Sequence, residues 1–321
     1  MPTVLSCCQK TSPARSPALW YPFNPSTVWC NQVRRTRLID PNFPQPFAPH
    51  HDGPVAPPAD ALIFAFRKRE LLVSTDHQVL TMTDIVMQDI SWVRTQFLGL
   101  LGATACYSAE LSEDINLPGG FMFRDLRRLY GMLPPDVQAV AGRAVQIMEW
   151  DRTHQFCGAC GEPTELSSSD RSRRCPRCRI PMYPRLAPAM IVSVERDDQI
   201  LLARSPHFPP DIFSVLAGFV EPGESAEDAV VREVYEETRI VVEDVRYFGS
   251  QPWPFPNSLM LGFTARYKSG EIDTSHDDET EAAGWFTRDT LPKTFPGRVS
   301  ISQWLLSDFL ERKGGDPRQG P

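Results

Sequence analysis

The apolar positions change period several times along the chain. Two short runs, 61–66 and 71–73, flank the polar stretch Arg67-Lys68-Arg69-Glu70 and read as two strands across a turn. A plausible short helix follows at 125–130. A longer one covers 135–150, where Val137, Val140, Ala141, Ala144, Val145 and Met148 recur at helical spacing. Beyond residue 187, strands at 189–194 and 199–203 enclose the hairpin turn Glu195-Arg196-Asp197-Asp198. A helix over 225–238, strands at 245–250, 259–267 and 282–287, and a closing helix over 302–311 complete the pattern. The alternation predicts an α/β class, and no internal repeat is apparent. It divides the chain into an arm (1–60), a small α/β domain (61–150), a cysteine-bearing segment (151–186), a larger α/β domain (187–312) and a polar tail (313–321). Packing and dimerisation are the expected roles of 61–150.

Composition alters the picture at the ends. Proline numbers 31 of 321 residues, and twelve lie in 1–60, where missing amide donors oppose regular ladders. The first 39 residues hold no acid but five bases, as an organelle transit peptide can, although the prolines would break the helix such a peptide needs. The net charge of −7 excludes a whole-molecule basic field for nucleic acid. No stretch approaches the roughly 18 apolar residues of a membrane span. A cytoplasmic, reducing location is expected.

Four of the eight cysteines are scattered. Cys157, Cys160, Cys175 and Cys178 instead form two Cys-x-x-Cys pairs fourteen residues apart. Each pair puts two thiolates on one knuckle, and together they make the closed tetrahedral set of a structural Zn²⁺ site. Arg171, Arg173, Arg174, Arg177 and Arg179 crowd this segment, as a solvated positive face or a surface for phosphate.

A second constellation runs from Gly218 through Gly223 and Glu224 to Arg232-Glu233-Val234-Tyr235-Glu236-Glu237. The glycines allow a tight loop. Ser225 and Asp228 predict a capping box at the helix start. Glu233, Glu236 and Glu237 then share one helix face. Carboxylates so placed repel one another unless a cation sits among them, and hard Mg²⁺ or Mn²⁺ takes such oxygen ligands together with substrate phosphate.

The spacing Gly-x5-Glu-x7-Arg-Glu-U-x-Glu-Glu resembles the Nudix box, departing only at Arg239, where that family has Gly. The resemblance implies an α/β/α sandwich that cleaves a nucleoside diphosphate linked to another group. It implies Glu233, Glu236 and Glu237 as metal ligands, the Ala217 carbonyl beside them, and Arg232 orienting the glutamates. A third segment, Ser250-Gln251-Pro252-Trp253-Pro254-Phe255-Pro256-Asn257-Ser258, reads as a rigid wall following a strand. It resembles the SQPWPFPxS signature of NADH pyrophosphatases, which also carry a zinc ribbon and an extra N-terminal domain. That subfamily implies dinucleotide contacts from Gln251, Pro252, Trp253, Pro254, Phe255, Pro256, Asn257 and Ser258. It further implies Tyr183 and Phe219 stacking on nicotinamide, Ser300 as a weaker contact, and Glu279 completing the metal set. For Glu279 the register is shared with Asp277, Asp278 and Glu281.

The resemblance therefore implies metal-dependent hydrolysis of NADH or NAD⁺ to NMNH or NMN plus AMP by a homodimer. NAD-cap removal from RNA uses the same bond. Two alternatives remain open at this level. One is a Nudix enzyme for ADP-ribose or a dinucleoside polyphosphate, and the other a non-catalytic zinc-ribbon protein that binds nucleic acid.

Overall fold

A computed structural model describes residues 47–54, 56–276, 278–297 and 299–313. Most of the 1–60 arm and nearly all of the 313–321 tail lie outside the described residues.

The first domain begins with β1 (Phe47–Pro49), β2 (Leu62–Arg67), β3 (Glu70–Ser74) and β4 (Leu80–Thr81), followed by the short helix α1 (Met82–Met87). Strands β5 (Arg94–Leu101), β6 (Thr104–Glu110) and β7 (Phe121–Asp125) come next, then helix α2 (Pro135–Thr153). The strands form one sheet in the order β1-β5-β6-β2-β3-β7, with β4 against β2. Period two decides the faces. Phe64 and Phe66 point into a core with Val140, Ala141, Ala144 and Val145 of α2. Ile63 and Ala65 point the other way, toward Ile85 of α1. The proline-bearing β1 sits at the sheet edge, where a missing amide is tolerated.

The helix expected at 125–130 is absent. Asp125 ends β7, and its Oδ1 accepts from the amides of Arg127 (2.8 Å) and Arg128 (3.3 Å). This local side-chain bonding competes with helix formation and makes a run of turns instead.

Three short strands, β8 (Glu165–Leu166), β9 (Arg173–Arg174) and β10 (Pro181–Met182), form the small sheet of the ribbon. The second α/β domain contains β11 (Ala187–Arg196), β12 (Gln199–Arg204), β13 (Ile212–Phe213), β14 (Leu216–Phe219) and helix α3 (Ala226–Thr238). Next come β15 (Val241–Trp253), β16 (Ser258–Ser269), β17 (Ala282–Phe286), β18 (Lys293–Thr294) and α4 (Ile301–Lys313). The sheet order is β15-β16-β11-β12-β17, with β14 against β11. Helix α3 packs on one face through Ala229, Val230 and Val234. Helix α4 packs on the other through Ile301, Leu305, Leu306 and Phe309. The result is an α/β/α sandwich.

An internal repeat is present after all, in topology. The order β5-β6-β2-β3-β7, with β4 on β2, matches β15-β16-β11-β12-β17, with β14 on β11. In each copy one central pair is parallel, β2 with β6 and β11 with β16. A helix comes after the off-path strand, and another closes the chain of each copy. The repeat resides in long-range pairing, which an apolar pattern read along the chain does not encode.

Candidate active site

Helix α3 and the strand before it build the site. Ser225 caps the helix, its Oγ accepting from the Asp228 amide at 3.1 Å. The expected capping box is only half made, because Asp228 returns its carboxylate to the Ser225 hydroxyl (2.6 Å). Gly223, at φ +90, turns the loop. Gly218 on β14 has a different role. A Cβ there would fall on the Glu233 carboxylate, so only glycine lets Glu233 lie against the strand.

Arg232 ties the loop to the helix. It contacts Glu224 through Nε and Nη2 (both 2.8 Å), Glu233 at 3.0 Å, Glu236 at 2.9 Å and the Phe219 carbonyl at 2.8 Å. The Arg232 guanidinium, helped by the Glu221 amide, holds Glu224 down to about 2. Glu233 shows the opposite shift. Burial pushes its carboxyl above the usual value, Arg232 pulls against this, and Glu236 and Glu279 add repulsion. Glu279 therefore lies within electrostatic reach of Glu233. Thr280, next to it, donates to Glu237 Oε2 at 2.8 Å. Glu281 turns away to pair with Arg204. The site thus gathers Glu233, Glu236, Glu237 and Glu279, with Ala217 beside Gly218 on β14. Glu233, half-buried and repelled by Glu236 and Glu279, sits in a carboxylate environment that fits a hard divalent cation.

Tyr183 (53%) and Phe219 (55%) are exposed aromatics, Phe219 next to Gly218 on β14 and Tyr183 between β10 and β11. The Tyr183 hydroxyl donates to Asp170 Oδ2 at 3.1 Å. Ser300 lies at the start of α4, its carbonyl accepting from Gln303 and Trp304.

The proline-rich segment does not follow a strand. It is the end of β15, the tip of the β15–β16 hairpin and the first residue of β16. Much of it faces inward. Gln251 is buried, donating to the Val299 carbonyl (2.7 Å) and accepting from the Ile301 amide (2.8 Å), which secures the start of α4. Ser258 is buried too. Trp253 and Phe255 pack edge-on to each other and to Tyr130. Asn257 bonds the Arg185 carbonyl at 3.2 Å, and its own carbonyl accepts from Ala187.

In the ribbon, ligand atoms of Cys157, Cys160, Cys175 and Cys178 all lie within 4.8 Å of one another, the arrangement four thiolates adopt around one ion. Amides of Ala159 and Cys160 pull the Cys157 thiol down, while the neighbouring Cys160 and Cys175 push Cys178 up, as expected of thiols crowded together. Two of the five arginines are not a solvated face. Arg173 is buried against Asp151 and Thr164, and Arg171 reaches the Phe97 carbonyl at 2.9 Å. Arg174, Arg177 and Arg179 are exposed. No helix among the described residues is long and apolar enough to cross a membrane.

Comparison with known proteins agrees with this architecture. Family models match in three consecutive segments: an NADH pyrophosphatase-like rudimentary NUDIX domain at 60–150, an NADH pyrophosphatase zinc ribbon domain at 152–183 and a NUDIX domain at 184–305. The NAD-capped RNA hydrolase NudC of Deinococcus radiodurans is 43% identical over 269 residues, covering 82% of this chain and 92% of that protein. The protein of the same name from Pseudomonas aeruginosa is 45% identical over 232 residues, covering 70% and 82%. The chain belongs to the Nudix hydrolases. Within them, its ribbon and its rudimentary first domain put it with the NADH pyrophosphatases.

Proposed function

We propose that this enzyme hydrolyses the pyrophosphate of NADH or NAD⁺, giving NMNH or NMN plus AMP, and also removes NAD caps from RNA. The observation that carries the reading is Glu233 lying against Gly218 of β14 with Glu236 and Glu279 within its electrostatic reach and Phe219 exposed on the same strand. The names of the relatives support the substrate class.

In this reading Glu233, Glu236, Glu237, Glu279 and the Ala217 carbonyl hold Mg²⁺ or Mn²⁺. Such an ion, when bound, neutralises pyrophosphate charge and acidifies water. Arg232 keeps Glu233 and Glu236 in register. Glu237, fixed by Thr280, or Glu279 takes the proton of the attacking water. Tyr183 and Phe219 receive the nicotinamide, and Ser300 and the outward parts of the 251–258 segment border the dinucleotide. The four cysteines hold one structural Zn²⁺. A homodimer completes the proposal, to be checked by sedimentation. The principal test is product analysis with NADH, NAD⁺, ADP-ribose and NAD-capped RNA, with and without Mg²⁺ or Mn²⁺. AMP release from NADH, and NMN release from capped RNA leaving a 5′-monophosphate end, are expected. A preference for ADP-ribose would overturn the substrate assignment.

A further inference from the structure

The tip of the β15–β16 hairpin is gripped by the first domain. Arg69, in the turn between β2 and β3, donates from Nη2 to the carbonyls of Pro254 and Pro256, the latter at 3.2 Å. These acceptors lie 185 and 187 positions further along the chain. The grip has other members. The Arg127 guanidinium stands 4.8 Å from the Phe255 ring centre. Pro254 lies so near Gly142 of α2 that a Cβ there would stand 3.1 Å from its Cγ.

Physical chemistry explains why an arginine does this. Prolines at 252, 254 and 256 bring carbonyls without amides, so the tip has more acceptors than donors of its own. A planar guanidinium serves two carbonyls from one fork. Burial pushes the Arg69 pKa down, so the contact desolvates a cation, with Glu149 and Asp125 near enough to offset that.

What the tip holds is part of the site. Asn257 follows Pro256 directly. Its side chain donates to the Arg185 carbonyl, and its carbonyl accepts from the Ala187 amide. Those contacts hold Arg185 and Ala187, the connector stretch through which the chain passes from Tyr183 into β11. Two residues into that strand, Ala189 pairs with Phe219.

We infer that Arg69 is a positioning residue: by fixing the Pro254–Pro256 tip it sets Asn257, and through Asn257 the Tyr183 connector, where the nicotinamide ring is received. This rests on the proposed stacking of nicotinamide on Tyr183. The rudimentary domain then takes part in substrate binding without touching the reacting phosphates.

The test uses the full-length, zinc-loaded chain. Arg69→Ala should raise KM for NADH about tenfold and leave kcat within about threefold, the signature of lost uniform binding. Competitive inhibition by ADP-ribose, which lacks the nicotinamide, should be unchanged. Millimolar guanidinium should restore part of the loss. Asn257→Ala should reproduce the effect, and Arg69→Ala should add nothing in a Tyr183→Ala background, because coupled positions are not additive. If Arg69→Ala does not fold, Asn257→Ala and Arg69→Lys carry the same comparison. A lower melting temperature with unchanged KM would reduce the contact to a domain staple and overturn the inference. So would an equal weakening of NADH and ADP-ribose. If Tyr183→Ala itself leaves KM unchanged, the stacking assignment fails. If the parent does not turn over NADH, the proposed function fails.

Discussion

The two α/β domains share strand order, pairing directions and helix placement, yet only the second carries a constellation for chemistry. The difference lies in the segment after the off-path strand. In the second copy β14 leads through a glycine-bearing loop into the thirteen-residue α3, which bears Glu233, Glu236 and Glu237. In the first, β4 runs straight into the six-residue α1. There the acid of the first turn, Asp84, is consumed by Thr81, whose amide and hydroxyl both bond its carboxylate (2.8 and 2.7 Å). One topology thus serves as a site in one place and as a clasp in the other: a fold does not imply a function, and the grafted loop and helix do.

Mutations that treat the copies alike sharpen this contrast. Glu233→Gln should lower kcat at least about 100-fold with the melting temperature retained, a loss of the order of general-base and metal contributions. Asp84→Asn should leave kcat unchanged and cost about 1 kcal/mol, the worth of a helix cap. A large activity loss from Asp84→Asn would break the comparison. Gly218→Ala comes next. Its Cβ must displace Glu233, so kcat/KM should fall roughly 10- to 100-fold while the fold survives, as misplacement of a catalytic group does.

The remaining two effects are on stability. Cys157→Ser should abolish stoichiometric zinc, read by elemental analysis, and lower the melting temperature by about 10 °C or more, because structural zinc contributes folding energy. Reduced parent protein without zinc would rule the site out. Arg239→Gly should be smallest. Arg239 sits at φ 61 as the left-handed residue ending α3, with its guanidinium 5.1 Å from the Tyr235 ring centre. The strain of about 1 kcal/mol in that conformation is offset by the helix dipole and the ring, so glycine should change stability by under about 1 kcal/mol. A rise in activity beyond about tenfold would mean that Arg239 distorts the glutamate face.

These effects differ in how far the sequence foretells them. Gly218, Glu233 and Glu237 were legible because the box is contiguous, and a helix turns fixed spacings into one face. The cysteine knuckles were legible for the same reason. The Gly218–Glu233 contact itself was not, since spacing says nothing of how near β14 comes to α3. Strands β5 and β6 pair with each other across residues 102–103, yet β6 is buried on both faces through small and polar residues such as Ser108, so no alternation of apolar and polar positions marks it. The 251–258 aromatics read as a ligand wall, whereas Trp253 and Phe255 spend their faces on Tyr130, over a hundred positions upstream. Arg171 and Arg173 read as surface charge for want of any sign that Phe97 and Asp151 wait for them.

The most direct measurement of the central claim is AMP and NMNH released from NADH by the pure, zinc-loaded chain, with and without Mg²⁺ or Mn²⁺, beside the Glu237→Gln variant. Equimolar AMP and NMNH are expected only with the divalent ion, falling at least about 100-fold in the variant. Release that needs no divalent ion, or near-parent turnover by folded Glu237→Gln, would contradict the account.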